Sequence, residues 1–98
     1  MKFHLLIVDD EVVIRKGLSD YINWDAYDCQ VTATASNGKE AIEIIENNNI
    51  DIVLTDIKMP VLDGIGLAEY VYENHPDIAV IILSGPNLNM PSLQLNIR

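Results

Sequence analysis

The sequence predicts an open, doubly wound α/β sheet, on three observations. Residues 3–8, 50–55 and 78–83 are short, nearly continuous apolar runs that lack polar alternation, so they read as strands buried on both faces and hence parallel. Between them the apolar residues recur with a helical period near 3.6. The connections are short, and right-handed crossovers then place helices on both faces of the sheet.

The elements follow in order. The first strand ends at Asp9 and Asp10. Val13, Ile14, Gly17, Leu18 and Tyr21 form the stripe of the helix after it and are expected to cover a sheet face. Residues 31–35 are a further strand, closed by the turn dipeptide Asn37-Gly38. Ala41, Ile44 and Ile45 stripe the second helix, and Asn47-Asn48-Asn49 marks its end, since short amides compete with the helical backbone. The run 50–55 leads to Asp56; Pro60 and Gly64 shape the next loop, and Asp63 is the expected N-cap of a third helix striped by Leu67, Ala68, Val71 and Tyr72. The run 78–83 leads to Ser84. The order is β-α-β-α-β-α-β.

With 98 residues the chain forms one domain, and 49% apolar against 21% charged residues is the balance of a folded globular protein. The formal charge of −9 repels phosphate backbones and anionic lipid, so neither direct nucleic-acid binding nor membrane association is expected. The apolar run after Met1-Lys2-Phe3-His4 is too short for a signal peptide or a membrane span, and a cytoplasmic location is the expectation. Cys29, the only cysteine, reads as a small buried hydrophobe, and Trp24 as a packing residue over the sheet. His4 and His75 lack zinc-ligand spacing to each other or to Cys29.

Chemistry in such sheets sits at the carboxyl ends of the strands, which is where Asp9, Asp10 and Asp56 converge. Three anions at one edge call for a cation. Carboxylate oxygens suit Mg²⁺, which keeps several waters and takes one or two carboxylates. A carboxylate is also a usable nucleophile toward phosphorus once the incoming charge is neutralised. The same spacing allows Asp10 as a helix cap and Asp9 and Asp56 as solvated strand ends; the repetition of a strand followed by an acid favours the site.

Leu6-Ile7-Val8-Asp9-Asp10-Glu11, Asp51-Ile52-Val53-Leu54-Thr55-Asp56-Ile57-Lys58-Met59-Pro60, Asp63-Gly64 and Val80-Ile81-Ile82-Leu83-Ser84-Gly85 together resemble, in order and spacing, the bacterial two-component response-regulator receiver family. The resemblance implies a flavodoxin-like sheet and a phosphoacceptor module that takes its phosphoryl group from a sensor histidine kinase and catalyses its own transfer and hydrolysis. By the same resemblance Asp56 is the phosphoacceptor. Asp10, Asp56 and the Lys58 backbone carbonyl are Mg²⁺ ligands, Asp9 belongs to the acidic pocket and acts through water, and Ser84 is the switch hydroxyl. Val13-Ile14-Arg15-Lys16-Gly17-Leu18, Ile22-Asn23-Trp24 and Asn37-Gly38-Lys39-Glu40-Ala41 are similar to regulators of transcription that carry an arabinose-regulator-type helix-turn-helix output domain.

The resemblance ends near residue 85. The family's fifth strand opens on a lysine followed by proline, and its ammonium contacts the phosphoryl oxygens; here the lysines are Lys2, Lys16, Lys39 and Lys58. Residues 1–85 therefore read as an incomplete receiver domain and 86–98 as an atypical tail, an extra strand or disordered, without the family's fourth helix, fifth strand and fifth helix. Pro86 and Pro91 disfavour a helix there. Leu93, Leu95 and Ile97 alternate with Gln94, Asn96 and Arg98 in the period of a half-buried strand. A parallel strand would need a crossover of about a dozen residues, so antiparallel addition, or exchange of the tail in a homodimer, is the expectation. Two other functions compete: a degenerate receiver serving only for interaction or dimerisation, and an aspartyl phosphatase of the haloacid-dehalogenase kind. The second is ranked last because that group's acid two residues after the nucleophile is replaced by Lys58. Neither a G-x-G-x-x-G nor a P-loop sequence follows the first strand, which disfavours nucleotide binding.

Overall fold

In the computed structural model, which describes residues 1–83 and 93–96, alternating strands and helices run in chain order. They are β1 (Phe3–Val8), α1 (Val12–Tyr21), a 3-10 turn (Trp24–Tyr27), β2 (Cys29–Ala35), α2 (Gly38–Asn47), β3 (Ile52–Asp56), α3 (Gly64–Asn74), β4 (Ala79–Leu83) and β5 (Leu93–Asn96). The sheet order is β2-β1-β3-β4-β5. β1 pairs in parallel with β2 and β3, and β3 with β4. This is the predicted flavodoxin-like fold. The order reverses beside β1, so the crevice between the carboxyl ends of β1 and β3 is the place where loops part to opposite faces.

The apolar runs are unbroken because successive strand residues fill two different cores. Leu6, Val8, Val53, Val80 and Ile82 meet Ala41 and Ile45 of α2 and Leu67, Ala68 and Val71 of α3. Leu5, Ile7 and Leu54 share the other face with Val31, Ile52, Ile81 and Leu83, and Leu18 of α1 and Trp24 pack against them. Cys29 is buried, as predicted. Trp24 packs over the sheet and its indole N–H donates to the Leu18 carbonyl at 2.8 Å.

The predicted stripe of α1 is corrected by the structure. Val13 is 76% exposed, Ile14 41% and Tyr21 90%, and α1 contributes no buried residue. Periodicity located the helix but not its burial. The second core is small and Trp24 shares it, so Leu18 alone represents the helix there. Tyr72 of α3 is likewise 47% exposed beside its buried stripe partners.

Local chemistry sets the helix starts. Asn37 caps α2 by accepting the Glu40 N–H at 2.8 Å, and Asp63 caps α3 by accepting the Gly66 N–H at 2.8 Å. Asn37-Gly38 thus opens a helix rather than a hairpin. At their far ends α2 and α3 are joined through Glu46, which accepts from the Tyr70 hydroxyl and lies 2.8 Å from His75 Nε2. Both contacts, Tyr70 first, hold the Glu46 carboxyl below its ordinary range.

After β4 the described chain returns as β5, antiparallel, with Leu83 opposite Leu93 and Val80 opposite Asn96. Antiparallel addition was the expectation for this alternating segment. Ser84, Pro86 and Pro91, together with Ile97 and Arg98, lie outside the described residues.

Candidate functional site

The site is built from the last residues of two adjacent central strands. Val8 pairs with Thr55, so the next residue of each strand, Asp9 and Asp56, emerges at the same edge. Asp9 extends the ladder by donating its N–H to the Ala35 carbonyl at 3.0 Å, and Asp10 follows it into the turn before α1. One carboxylate oxygen each from Asp9, Asp10 and Asp56 lie within 4.8 Å of one another. The sequence-predicted acids therefore meet. Asp10 does not cap α1: the cap residue is Glu11, with no side-chain capping bond.

Environment separates the three acids. Asp9 is only 4% exposed, Asp56 is half-buried and Asp10 faces solvent. Burial pushes the Asp9 carboxyl up to about 6, against the hydrogen bond it accepts from the Glu11 N–H at 2.9 Å, and the charges of Asp56 and Asp10 add to the rise. Burial also raises Asp56, opposed by the Ile57 N–H and reinforced by Asp10. Such crowding of hard oxygen donors is what a small divalent cation relieves, so the residues present fit Mg²⁺.

Asp56 is held from several directions. Its Oδ1 accepts the Ile57 N–H at 2.9 Å, which fixes the plane of the carboxylate. Its carbonyl accepts the hydroxyl of fully buried Thr55 at 2.9 Å. The Ile57 carbonyl accepts the Gly64 N–H at 2.8 Å, so the start of α3 is tied back onto the strand end. Between them Val61 has φ 72, and the Leu62 N–H bonds the Pro60 carbonyl at 2.8 Å, closing a strained three-residue turn around a β-branched residue. The Leu62 carbonyl then accepts the Gly38 N–H at 3.0 Å, linking this loop to the first residue of α2. A Cβ on Gly38 would stand 2.5 Å from that oxygen, so only glycine allows the approach.

Lys58 is exposed two residues beyond Asp56, and Ser84 lies outside the described residues. Sequence reasoning gave no role to Arg15, whose guanidinium donates to the Asp9 carbonyl at 2.8 Å. Its signal was a cation six residues after the first acid, on the helix that the acid pair introduces.

The sequence profile of the response regulator receiver domain matches residues 5–94. The chain belongs to the response regulator receiver family. This receiver is 37% identical over 83 residues to the uncharacterized transcriptional regulatory protein YesN of Bacillus subtilis; the alignment covers 85% of the chain but only 23% of YesN. Among solved structures it resembles the receiver domain of AraT, a response regulator from Geobacillus stearothermophilus, with TM-score 0.81, 35% identity, and coverage of 87% of this chain and 66% of that one. It also resembles a chain of the CheX-CheY-BeF3-Mg²⁺ complex from Borrelia burgdorferi, with TM-score 0.74, 37% identity, and coverage of 84% and 61%. No helix among the described residues is long and apolar enough to cross a membrane.

Proposed function

We propose that this receiver is the phosphoacceptor module of a two-component system, phosphorylated on Asp56 in the presence of Mg²⁺. The observation that carries the reading is the convergence of Asp9, Asp10 and Asp56 within 4.8 Å at the crevice between β1 and β3. Asp10, Asp56 and the Lys58 backbone carbonyl would hold the cation, with Asp9 acting through water; the presence of Mg²⁺ in the complex of the similar CheX-CheY assembly supports the choice of cation. When bound, the cation supplies neutralising charge for the phosphoryl oxygens.

With Oδ1 engaged by the Ile57 N–H, the second oxygen of Asp56 is the attacking atom. Its lone pair forms the O–P bond, and the bond from phosphorus to the donor breaks with its electrons on the departing group, a histidine nitrogen in the kinase or acetate from acetyl phosphate. Ser84 is assigned as the hydroxyl that turns toward the bound phosphoryl group. Hydrolysis of the acyl phosphate by the same site resets it. The partner is a sensor histidine kinase in the cytoplasm. Its output is regulation of transcription, by likeness to YesN, of which this receiver spans 23%.

Incubation with acetyl phosphate and Mg²⁺ is expected to add the mass of one phosphoryl group, and Asp56→Asn or removal of Mg²⁺ by chelator to prevent it. A gain that persists in Asp56→Asn refutes the assignment.

A second reading is favoured by β5, which runs antiparallel and, with sequence Leu93-Gln94-Leu95-Asn96, brings no lysine to the site. In this reading the receiver lacks phosphotransfer and acts by homodimerising through the edge of β5, whose outer backbone groups can template a second copy. Deleting residues 91–98 is then expected to halve the mass measured by light scattering. An unchanged mass rejects the dimer, and the acetyl phosphate experiment decides between the readings.

A further inference from the structure

The geometry assigns to Arg15 the role of a positioning residue for the acid cluster: it brackets the Asp9-Asp10-Glu11 loop and holds both carboxylates toward Asp56. This inference rests on the reading of that cluster as a cation site.

The loop between β1 and α1 is only Asp9-Asp10-Glu11, and it carries two of the three acids. Crowded carboxylates repel one another, so in the absence of a cation the loop is under pressure to open. The usual restraint is missing, because the cap residue of α1, Glu11, makes no side-chain capping bond to the first helical turn. Arg15 supplies another. Its backbone N–H donates to the Glu11 carbonyl at 3.0 Å, and its Nη1 donates to the Asp9 carbonyl at 2.8 Å. The first is the helix bond that any residue at this position would make to Glu11; the second, to Asp9, belongs to the arginine side chain, and together they span the loop.

The remaining bonds explain why the bracket matters. The Asp9 N–H is fixed on Ala35 at 3.0 Å, and the Glu11 N–H on Asp9 Oδ1 at 2.9 Å. The Asp9 carbonyl leaves the sheet at the end of β1, and the guanidinium is its partner. Arg15 is half-buried, so this charge-assisted bond is partly shielded from water. Without it, rotation at Asp9 would move the Asp10 carboxylate relative to Asp56 even though both acids remain in the sequence. Arginine suits the task because its long stem spans back along the helix while a planar fork presents the donor.

Arg15→Met keeps the stem and removes the donor. It is expected to weaken Mg²⁺ binding about tenfold, the size of effect seen when groups that orient a ligand are lost. Mg²⁺ would be titrated against the amide resonances of Asp9, Asp10 and Asp56. Arg15→Lys, which restores a cationic donor, should recover part of the affinity. In metal-free protein, amide hydrogen exchange at Glu11 should accelerate in Arg15→Met while exchange in α2 stays as in wild type, a pattern that general destabilisation would not produce. Unchanged Glu11 exchange, or Mg²⁺ affinity within twofold of wild type, overturns the proposal. Should wild type itself bind no Mg²⁺, the cation-site reading and with it the positioning role fail, whereas wild-type binding with unaltered Arg15→Met binding rejects Arg15 alone.

Discussion

Gly64→Ala is expected to destabilise the receiver by about 3 kcal/mol or more, a cost reserved for substitutions that force backbone apart. A Cβ at this position would stand 2.1 Å from the Asp56 carbonyl oxygen and 3.0 Å from both its carbon and the Ile57 Cα. All three are backbone atoms, so no side chain can swing away. Nor can the pieces separate freely. The Gly64 N–H bonds Ile57 O at 2.8 Å, and the Asp56 carbonyl is the acceptor for buried Thr55. Gly64 does not have positive φ, so the requirement is for space rather than for an unusual backbone angle. Gly17→Ala in α1 is the contrasting control. Its Cβ would meet only Tyr21 Cδ2 at 3.8 Å, and mid-helix alanine in place of glycine should add about 0.5–1 kcal/mol. Urea midpoints of the two variants should therefore move in opposite directions. Equal midpoints for Gly64→Ala and wild type would show that the strand end and α3 are not rigidly apposed.

Asp9→Asn is expected to stabilise the metal-free protein at pH 7.5 by about 2–3 kcal/mol, the free-energy equivalent of a carboxyl raised from 3.8 to about 6. The sign follows from burial. The folded state holds the Asp9 proton more tightly than the unfolded chain does, so wild-type stability falls as pH rises from about 4 to about 6 and stays reduced above that range. Asparagine keeps the oxygen that accepts the Glu11 N–H at 2.9 Å and removes the charge that Asp10 and Asp56 oppose. Denaturation in chelator across pH 4 to 8 measures the difference, which should be near zero at the acid end and largest above pH 6. With saturating Mg²⁺ the advantage should shrink, because the cation stabilises the wild-type acids. A difference that does not change with pH would assign the effect to packing.

Much of this was legible in sequence because it depends on period and order. The continuous apolar runs gave parallel strands, since Leu5 and Leu6 go to opposite cores, and strand adjacency then forces Asp9 and Asp56 to one edge. Asp63 was readable as a cap because its side chain acts on its own helix. What escaped were contacts set by three-dimensional approach. Val13 and Tyr21 carry the correct helical spacing and are exposed nonetheless, because period reports a face and not whether anything lies against it. Arg15 on Asp9, Leu62 on Gly38 and Glu46 between Tyr70 and His75 join groups whose spacing follows no periodic rule.

The two sheet faces are covered unequally, one by α2 and α3 and the other by Leu18 of α1 and Trp24. Separating α1 from the sheet would uncover the smaller core of Leu5, Ile7 and Leu54, whereas separating α2 or α3 would open the main core. The acid pair lies on the loop that joins α1 to the sheet. On the proposed reading, a cation engaging Asp10 and Asp56 together would bind only the arrangement in which α1 is docked, and by mass action would hold it there. Chemistry at one edge of the sheet would thereby reach a helix whose outward residues include Val12, Val13 and Ile14.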